Sequence, residues 1–163
     1  MREIASGIVI YCKTAEGPRF LLLYHGGKYW NFPKGKLELS HEDKRGRETS
    51  FAAALREVFE ETGLRKQDLR FQEWFKVHDR YSYTRKKQRV FKIVTFYLAE
   101  TSRRTVRISE EHHGYGWFLY REAVRVLEYR NLRIVLKQAH DVIRGKSVLR
   151  GEPHPQREGR NVP

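Results

Sequence analysis

Cysteine is almost absent from this chain. Its 163 residues include one, Cys12, which excludes an intramolecular disulfide and any metal site built on thiolates. A lone thiol inside a β-branched run is expected to be a small core residue. Long apolar runs are missing too. The opening MREIASGIVIYCK interleaves small residues and stops at Lys13, too early for a membrane span or a secretory leader, so a strand of a cytoplasmic protein is expected there. Acidic residues are few beside basic ones, 20 against 33, which leaves a formal charge of +13. That balance suits polyanionic partners such as nucleotides or nucleic acid, and equally a plain solvated surface. Internal repeats are lacking, and a chain of this length forms one domain with a proper core.

What is present reads as alternating sheet and helix. Residues 3–12 (EIASGIVIYC) and 19–24 (RFLLLY) flank a polar AEGPR and make a hairpin pattern. The stretch HGGKYWNFPKGKLE, with its glycines and proline, predicts an irregular surface loop. A helix is expected from Thr49 or Ser50, an N-cap residue type, to Gly63, a C-terminal cap. LRFQEWFKVHDRYSYT, RVFKIVTFYLAE and GYGWFLY read as strands, the first two joined by the basic RKKQR. REAVRVLEYRNLRIVLKQAHDVIRG has helical spacing, in two pieces around Tyr129-Arg130-Asn131. Beyond these lies SVLRGEPHPQREGRNVP, so a folded domain over 1–147 and a basic, mobile tail over 148–163 are expected.

Against this basic background, REVFEETGL concentrates Glu57, Glu60 and Glu61 in five residues. With Glu57 at zero on a helical wheel, Glu60 falls near about −60° and Glu61 near about +40°, so all three share one face. The opposite arc carries Phe51, Leu55, Val58 and Phe59, the expected anchor to the sheet, which holds the acidic face outward. Like charges at these spacings repel, and the C-terminal end of a helix also disfavours anions. Arg56 and other basic residues can offset that repulsion. A hard divalent ion, which prefers carboxylate oxygens, can do so as well.

The spacing extends upstream. Glu48, seven residues, Arg56-Glu57, Val58, Glu60-Glu61, Gly63 and Leu64 resemble the signature of the Nudix hydrolase family, eight specified positions in 17, with Gly35 as its opening glycine. One departure is plain: twelve residues separate Gly35 from Glu48 where the signature has five, so 41–47 (HEDKRGR) is an insertion in the motif loop. Surface insertions cost little stability. The resemblance implies an α/β/α sandwich around a mixed sheet. It also implies Mg2+, with Mn2+ as a substitute, and hydrolysis of a nucleoside diphosphate linked to another group by water attack on phosphorus. Glu57, Glu60 and Glu61 carry over as metal ligands, and Arg56 as the residue that orients them. Gly35, Glu48 and Gly63 carry over as structural positions. Glu111, six residues before Trp117, matches the further carboxylate that relatives use as a ligand or base, with Glu110 as runner-up. His112 and His113 read as surface residues.

YWNFPKGK, the YSYT segment and GWFLYREAVRVLEY are similar to the branch of the family that hydrolyses diadenosine tetraphosphate. In that reading Lys34, Lys36 and Lys92 meet the phosphates, while Tyr29, Tyr81 and Tyr83 stack on adenine. The positive charge keeps a second reading open, an enzyme removing pyrophosphate from RNA 5′ ends. A third is a non-catalytic nucleotide- or RNA-binding module of the same fold. No membrane association and no obligate protein partner are expected.

Overall fold

A computed structural model describes residues 1–38 and 48–146. The insertion expected at 41–47 and the tail expected at 148–163 lie outside the described residues. Chain order among them is β1 (Arg2–Thr14), β2 (Gly17–Tyr24), β3 (Trp30–Asn31), β4 (Lys34–Lys36), α1 (Ser50–Thr62), a 3-10 turn (Lys66–Asp68), β5 (Arg70–Arg85), β6 (Gln88–Glu100), β7 (Gly114–Leu119), α2 (Tyr120–Val126) and α3 (Arg130–Ile143).

Strand alternation builds a three-layer sandwich. Along β1 the side chains of Ile8 and Ile10 point to one face of the sheet, with Ala54, Val58 and Leu64 of the α1 region. Val9 and Tyr11 point to the other face, where Leu132, Val135, Leu136 and Ala139 form the helical stripe of α3. Burial of each large aliphatic here stabilises by about 1.5–3 kcal/mol. The sheet runs β3-β2-β1-β6-β5, with β4 added on β1 and β7 on β2. β1 pairs with β6 in parallel and every other pairing is antiparallel, so the sheet is mixed, as expected. Cys12 is buried and free. Among the described residues no helix is long and apolar enough to cross a membrane.

The loop expected over HGGKYWNFPKGKLE is more ordered than its composition suggests. It contains β3 and β4, and a tight turn closed by hydrogen bonds between His25 and Tyr29 and between Tyr29 and Gly26. Gly7 is the reason β4 can pair so closely. A Cβ at that position would lie 2.3 Å from the Pro33 carbonyl oxygen and 2.6 Å from the Lys34 Cβ. At the far end of the sheet, β5 and β6 are joined by Lys86 and Lys87, both left-handed at φ 49° and 65°. That is the turn geometry that Asn-Gly adopts at least cost, so two lysines there hold a strained, strongly basic tip.

Gly7→Ala is expected to lower stability by about 1–3 kcal/mol, because backbone rather than a flexible side chain blocks the new methyl. A shift of the urea midpoint with an unchanged slope would register it; an unaltered midpoint would show that β4 can move away freely.

Candidate active site

Helix α1 starts and stops where its sequence says it should. The Thr49 hydroxyl accepts from the Ala52 N–H at 3.1 Å, and Gly63 closes the helix at φ 72°. Its rotation differs from the expected one. Ala53, Ala54, Val58, Glu61 and Thr62 are the buried residues, so Glu61 faces the sheet, whereas Phe59, an expected anchor, is 48% exposed beneath the Arg65 guanidinium. Two alanines let the helix axis sit close on β1, and Ala54, Val58 and Glu61, at i, i+4 and i+7, share that contact face. Phe51 keeps its anchoring role against Phe71 and Tyr97.

Arg56 gathers the acids. Its Nε and Nη2 each donate to Glu48 at 2.9 Å, Nη1 donates to Glu57 at 2.9 Å and to Glu60 at 3.2 Å, and Nη2 also reaches the Lys36 carbonyl at 2.9 Å. The hydrogen bond from Arg56 holds Glu48 below the ordinary carboxylate pKa, and those to Glu48 and Glu57 raise that of Arg56. Glu48 also joins its loop to β4: the Glu48 N–H donates to the Glu38 carbonyl at 3.1 Å, and the Glu38 N–H donates to the Glu48 carboxylate at 2.9 Å.

β4 forms the other wall. A Cβ on Gly35 would lie 1.9 Å from Glu57 Cδ, so the missing side chain is the space that the Glu57 carboxylate occupies. The adjacent Lys34 N–H donates to Glu61 at 2.9 Å. Burial raises the pKa of Glu57, and the charge of Glu60 adds to it. Glu61 is 7% exposed, and burial, reinforced by the charges of Glu57 and Glu111, pushes it up to about 8 against the pull of the Lys34 N–H. Glu60 stays open to solvent.

Glu111 lies in an exposed turn near enough to Glu61 for its charge to be felt there. Next to it, His112 is a buried residue and not the surface one expected. Ser109 Oγ lies 2.9 Å from its Nδ1, and its Nε2, which has no hydrogen-bond partner among the described residues, lies 3.5 Å from Glu61 Oε1. His25, which sequence reasoning did not single out, meets His112 edge to face at 4.5 Å between ring centroids. Burial, then the charges of His112 and Lys34, lower the His25 pKa to about 4, and burial also lowers that of His112. His113 is exposed.

The lysines line up beyond the acids. Lys34 is half-buried and burial lowers its pKa, opposed by Glu61, Asp79, Glu57 and Glu3. Lys36 is exposed and bonds Glu3 at 3.1 Å. Lys92 is lowered to about 8 by burial and by the charge of Lys34. Tyr29 packs edge to face on Tyr129 at 5.6 Å, and burial raises the hydroxyl pKa of both Tyr29 and Tyr81. Tyr83 is 6.1 Å from Tyr81 between centroids, and its hydroxyl donates to Glu3 at 3.0 Å.

Among the described residues no three acidic, histidine or cysteine side chains already form a closed metal cage. The donor chemistry nonetheless fits a hard divalent ion, which takes one or two carboxylates and completes its shell with water and phosphate oxygens. Glu57 and Glu61 are neighbouring oxygen donors, and burial, then the charge of Glu57, raises Glu61, so a cation between them would offset both.

Residues 1–138 match the profile of the NUDIX domain, and the chain belongs to the Nudix family. It is an enzyme, a pyrophosphohydrolase. An asymmetrical bis(5'-nucleosyl)-tetraphosphatase of Mus musculus is 30% identical to it over 128 residues, 76% of this chain and 80% of that one. The enzyme of the same description from Caenorhabditis elegans is 28% identical over 137 residues, 82% and 91% of the two chains. A crystal structure of a C. elegans Ap4A hydrolase binary complex superposes with a TM-score of 0.72, covering 88% of this chain and 98% of that one.

Two outcomes are expected. Gly35→Ala keeps most of its melting temperature, since the group displaced is the far end of a flexible side chain and its bond to Arg56 is partly exposed, but loses about tenfold or more in phosphoanhydride hydrolysis as Glu57 swings away. Glu61 has a folded pKa above its unfolded value, so its contribution to stability is fully present below the ordinary 4.5 and is lost as pH rises through about 8. In metal-free buffer the stability gap between Glu61→Gln and the parent therefore widens in the variant's favour from about pH 5 to about pH 8. A gap independent of pH would contradict the raised pKa.

Proposed function

We propose that this chain is a divalent-cation-dependent hydrolase of dinucleoside polyphosphates, cleaving diadenosine tetraphosphate to ATP and AMP by attack of water on phosphorus. The observation that carries the reading is the double role of β4. Its glycine and its Lys34 N–H receive Glu57 and Glu61, while the side chains of Lys34 and Lys36 leave the same three residues as cations. A site for metal and a site for phosphates are thus adjoining parts of one strand. The similarity to asymmetrical tetraphosphatases over most of the chain supports the substrate class.

In this reading Glu57, Glu60 and Glu61 hold Mg2+, or Mn2+ in its place, with Glu111 as a further ligand or the base that takes the proton of the attacking water. The ion, when bound, supplies Lewis-acid stabilisation of the phosphates and lowers the pKa of water. Arg56 keeps the acids in register without meeting substrate. Lys34, Lys36 and Lys92 compensate negative charge on the polyphosphate. Tyr29 and Tyr81, with Tyr129 beside them, offer ring faces to a base, and Tyr83 is committed through its hydroxyl to Glu3.

Magnesium-dependent release of ATP and AMP from diadenosine tetraphosphate, followed by chromatography, tests the assignment, and mass spectrometry of the products formed in oxygen-18 water identifies the phosphorus attacked. Glu57→Gln should lower turnover by at least about a hundredfold. The exposed basic tip of the β5–β6 hairpin favours one competing outcome. If triphosphorylated RNA is processed and the dinucleotide is left intact, the dinucleotide assignment fails.

A further inference from the structure

Glu3, on β1, sits where three strands bring cations together. Its side chain is 6% exposed, and Oε1 lies 2.9 Å from Arg85 Nη2 and 3.1 Å from Lys36 Nζ. Oε2 accepts from the Tyr83 hydroxyl at 3.0 Å and lies 3.8 Å from Lys92 Nζ. Burial works against ionisation of this carboxyl, but hydrogen bonds from Lys36 and Tyr83 and the charges of Lys36 and Lys92 outweigh it and hold its pKa below the ordinary value. A single carboxylate therefore faces three cations, with Lys34 close enough to add a fourth charge at Lys92. The cluster keeps an excess of positive charge. Around Glu3 itself Lys36, Arg85 and Lys92 outnumber the carboxylate, and they repel one another in a half-buried place.

The cluster adjoins the acids through one residue. The Lys36 carbonyl accepts from Arg56, and its ammonium bonds Glu3. A phosphate chain that begins at Glu57 and Glu61 and runs along β4 therefore meets Lys34, then Lys36, and then Arg85 and Lys92. Lys36 and Arg85 have side chains 59% and 43% exposed, so solvent and substrate can reach them. An ammonium has three donor hydrogens and a guanidinium five, so binding to Glu3 consumes only part of what each offers to phosphate oxygens. Tyr83 and Arg85 reach Glu3 from the β5 arm of the hairpin, just before its strained basic tip.

We propose that Glu3 is a positioning residue that gathers Lys36, Arg85 and Lys92 into a second phosphate subsite, and that Arg85 there makes the enzyme select long phosphate chains. This rests on the polyphosphate reading of the site. A mere ion pair tying the hairpin to β1 predicts something different. So does undirected attraction, because removing the negative charge of Glu3 should then tighten binding of a polyanion.

The test compares Glu3→Gln, Arg85→Gln and the parent on diadenosine tri-, tetra- and pentaphosphate with magnesium. Both variants should raise KM for tetra- and pentaphosphate by roughly five- to tenfold, with kcat falling less than KM rises and KM for the triphosphate nearly unchanged. In parallel, calorimetric titration with inorganic tripolyphosphate in metal-free buffer should show affinity weakened by a similar factor in both variants. That arm needs no hydrolysis, so it tests the subsite even if dinucleotides prove not to be substrates. Tripolyphosphate bound as tightly by Glu3→Gln as by the parent, or more tightly, would overturn the positioning role. KM raised equally for every chain length would overturn the selection. Should Glu3→Gln fail to fold, Arg85→Gln, altered on an exposed hairpin arm, decides the selection, and Glu3→Asp, which keeps the charge but draws it back from the cations, decides the positioning role by the same tripolyphosphate titration.

Discussion

The arrangement of this site depends on one guanidinium. Arg56 projects from the middle of α1 and takes up Glu48 from the chain before the helix, Glu57 and Glu60 from the helix itself, and a carbonyl of β4. Three segments distant in sequence are thereby held in one plane of donors. Lysine could not do this, because a point charge on a flexible stem lacks the fixed fork that meets three carboxylates and a carbonyl at once. Arg56 pairs with Glu48, Glu57 and Glu60 where like charges crowd that end of the helix.

The second organising constraint is burial. Glu61 and Lys34 are withdrawn from water on opposite sides of the contact between α1 and β4, and burial shifts the pKa of each toward its neutral form. They are coupled through the Lys34 N–H, a donor that does not titrate. His112 and His25 complete the buried wall as neutral rings. The acids thus have a wet side at Glu60 and Glu111 and a dry side at Glu61. Electrostatic forces are stronger on the dry side, where less water screens them.

Much of this was legible in the sequence, where the information is local. The limits of α1 followed from Thr49 and Gly63, the first two strands from their β-branched and aliphatic runs, and the family, with the layers it implies, from the spacing between Glu48 and Leu64. Which way α1 turns its faces did not follow. A wheel fixes angles between residues but not the rotation of the helix against the sheet, and Ala53 and Ala54 decided that by permitting close approach. His25 and His112 lie far apart in the chain and have no shared periodicity to connect them. Glu3 was invisible for a similar reason: an acid in a strand reads as solvated until partners from β4, β5 and β6 are seen around it. Gly35 was recognised by position, but its physical task, making room for Glu57, appears only when the strand and the helix face each other.

The paired hydrogen bonds between Glu38 and Glu48 act as a drawstring. Whatever chain runs between those two residues leaves from and returns to one fixed neck, and Arg56 grips the neck through Glu48. The number of residues between Glu38 and Glu48 is thereby uncoupled from the geometry around Arg56, since added residues cost only a slowly growing closure entropy. Such a neck is a place where evolution, or an engineer, can lengthen, shorten or replace sequence without moving the carboxylates that Arg56 holds.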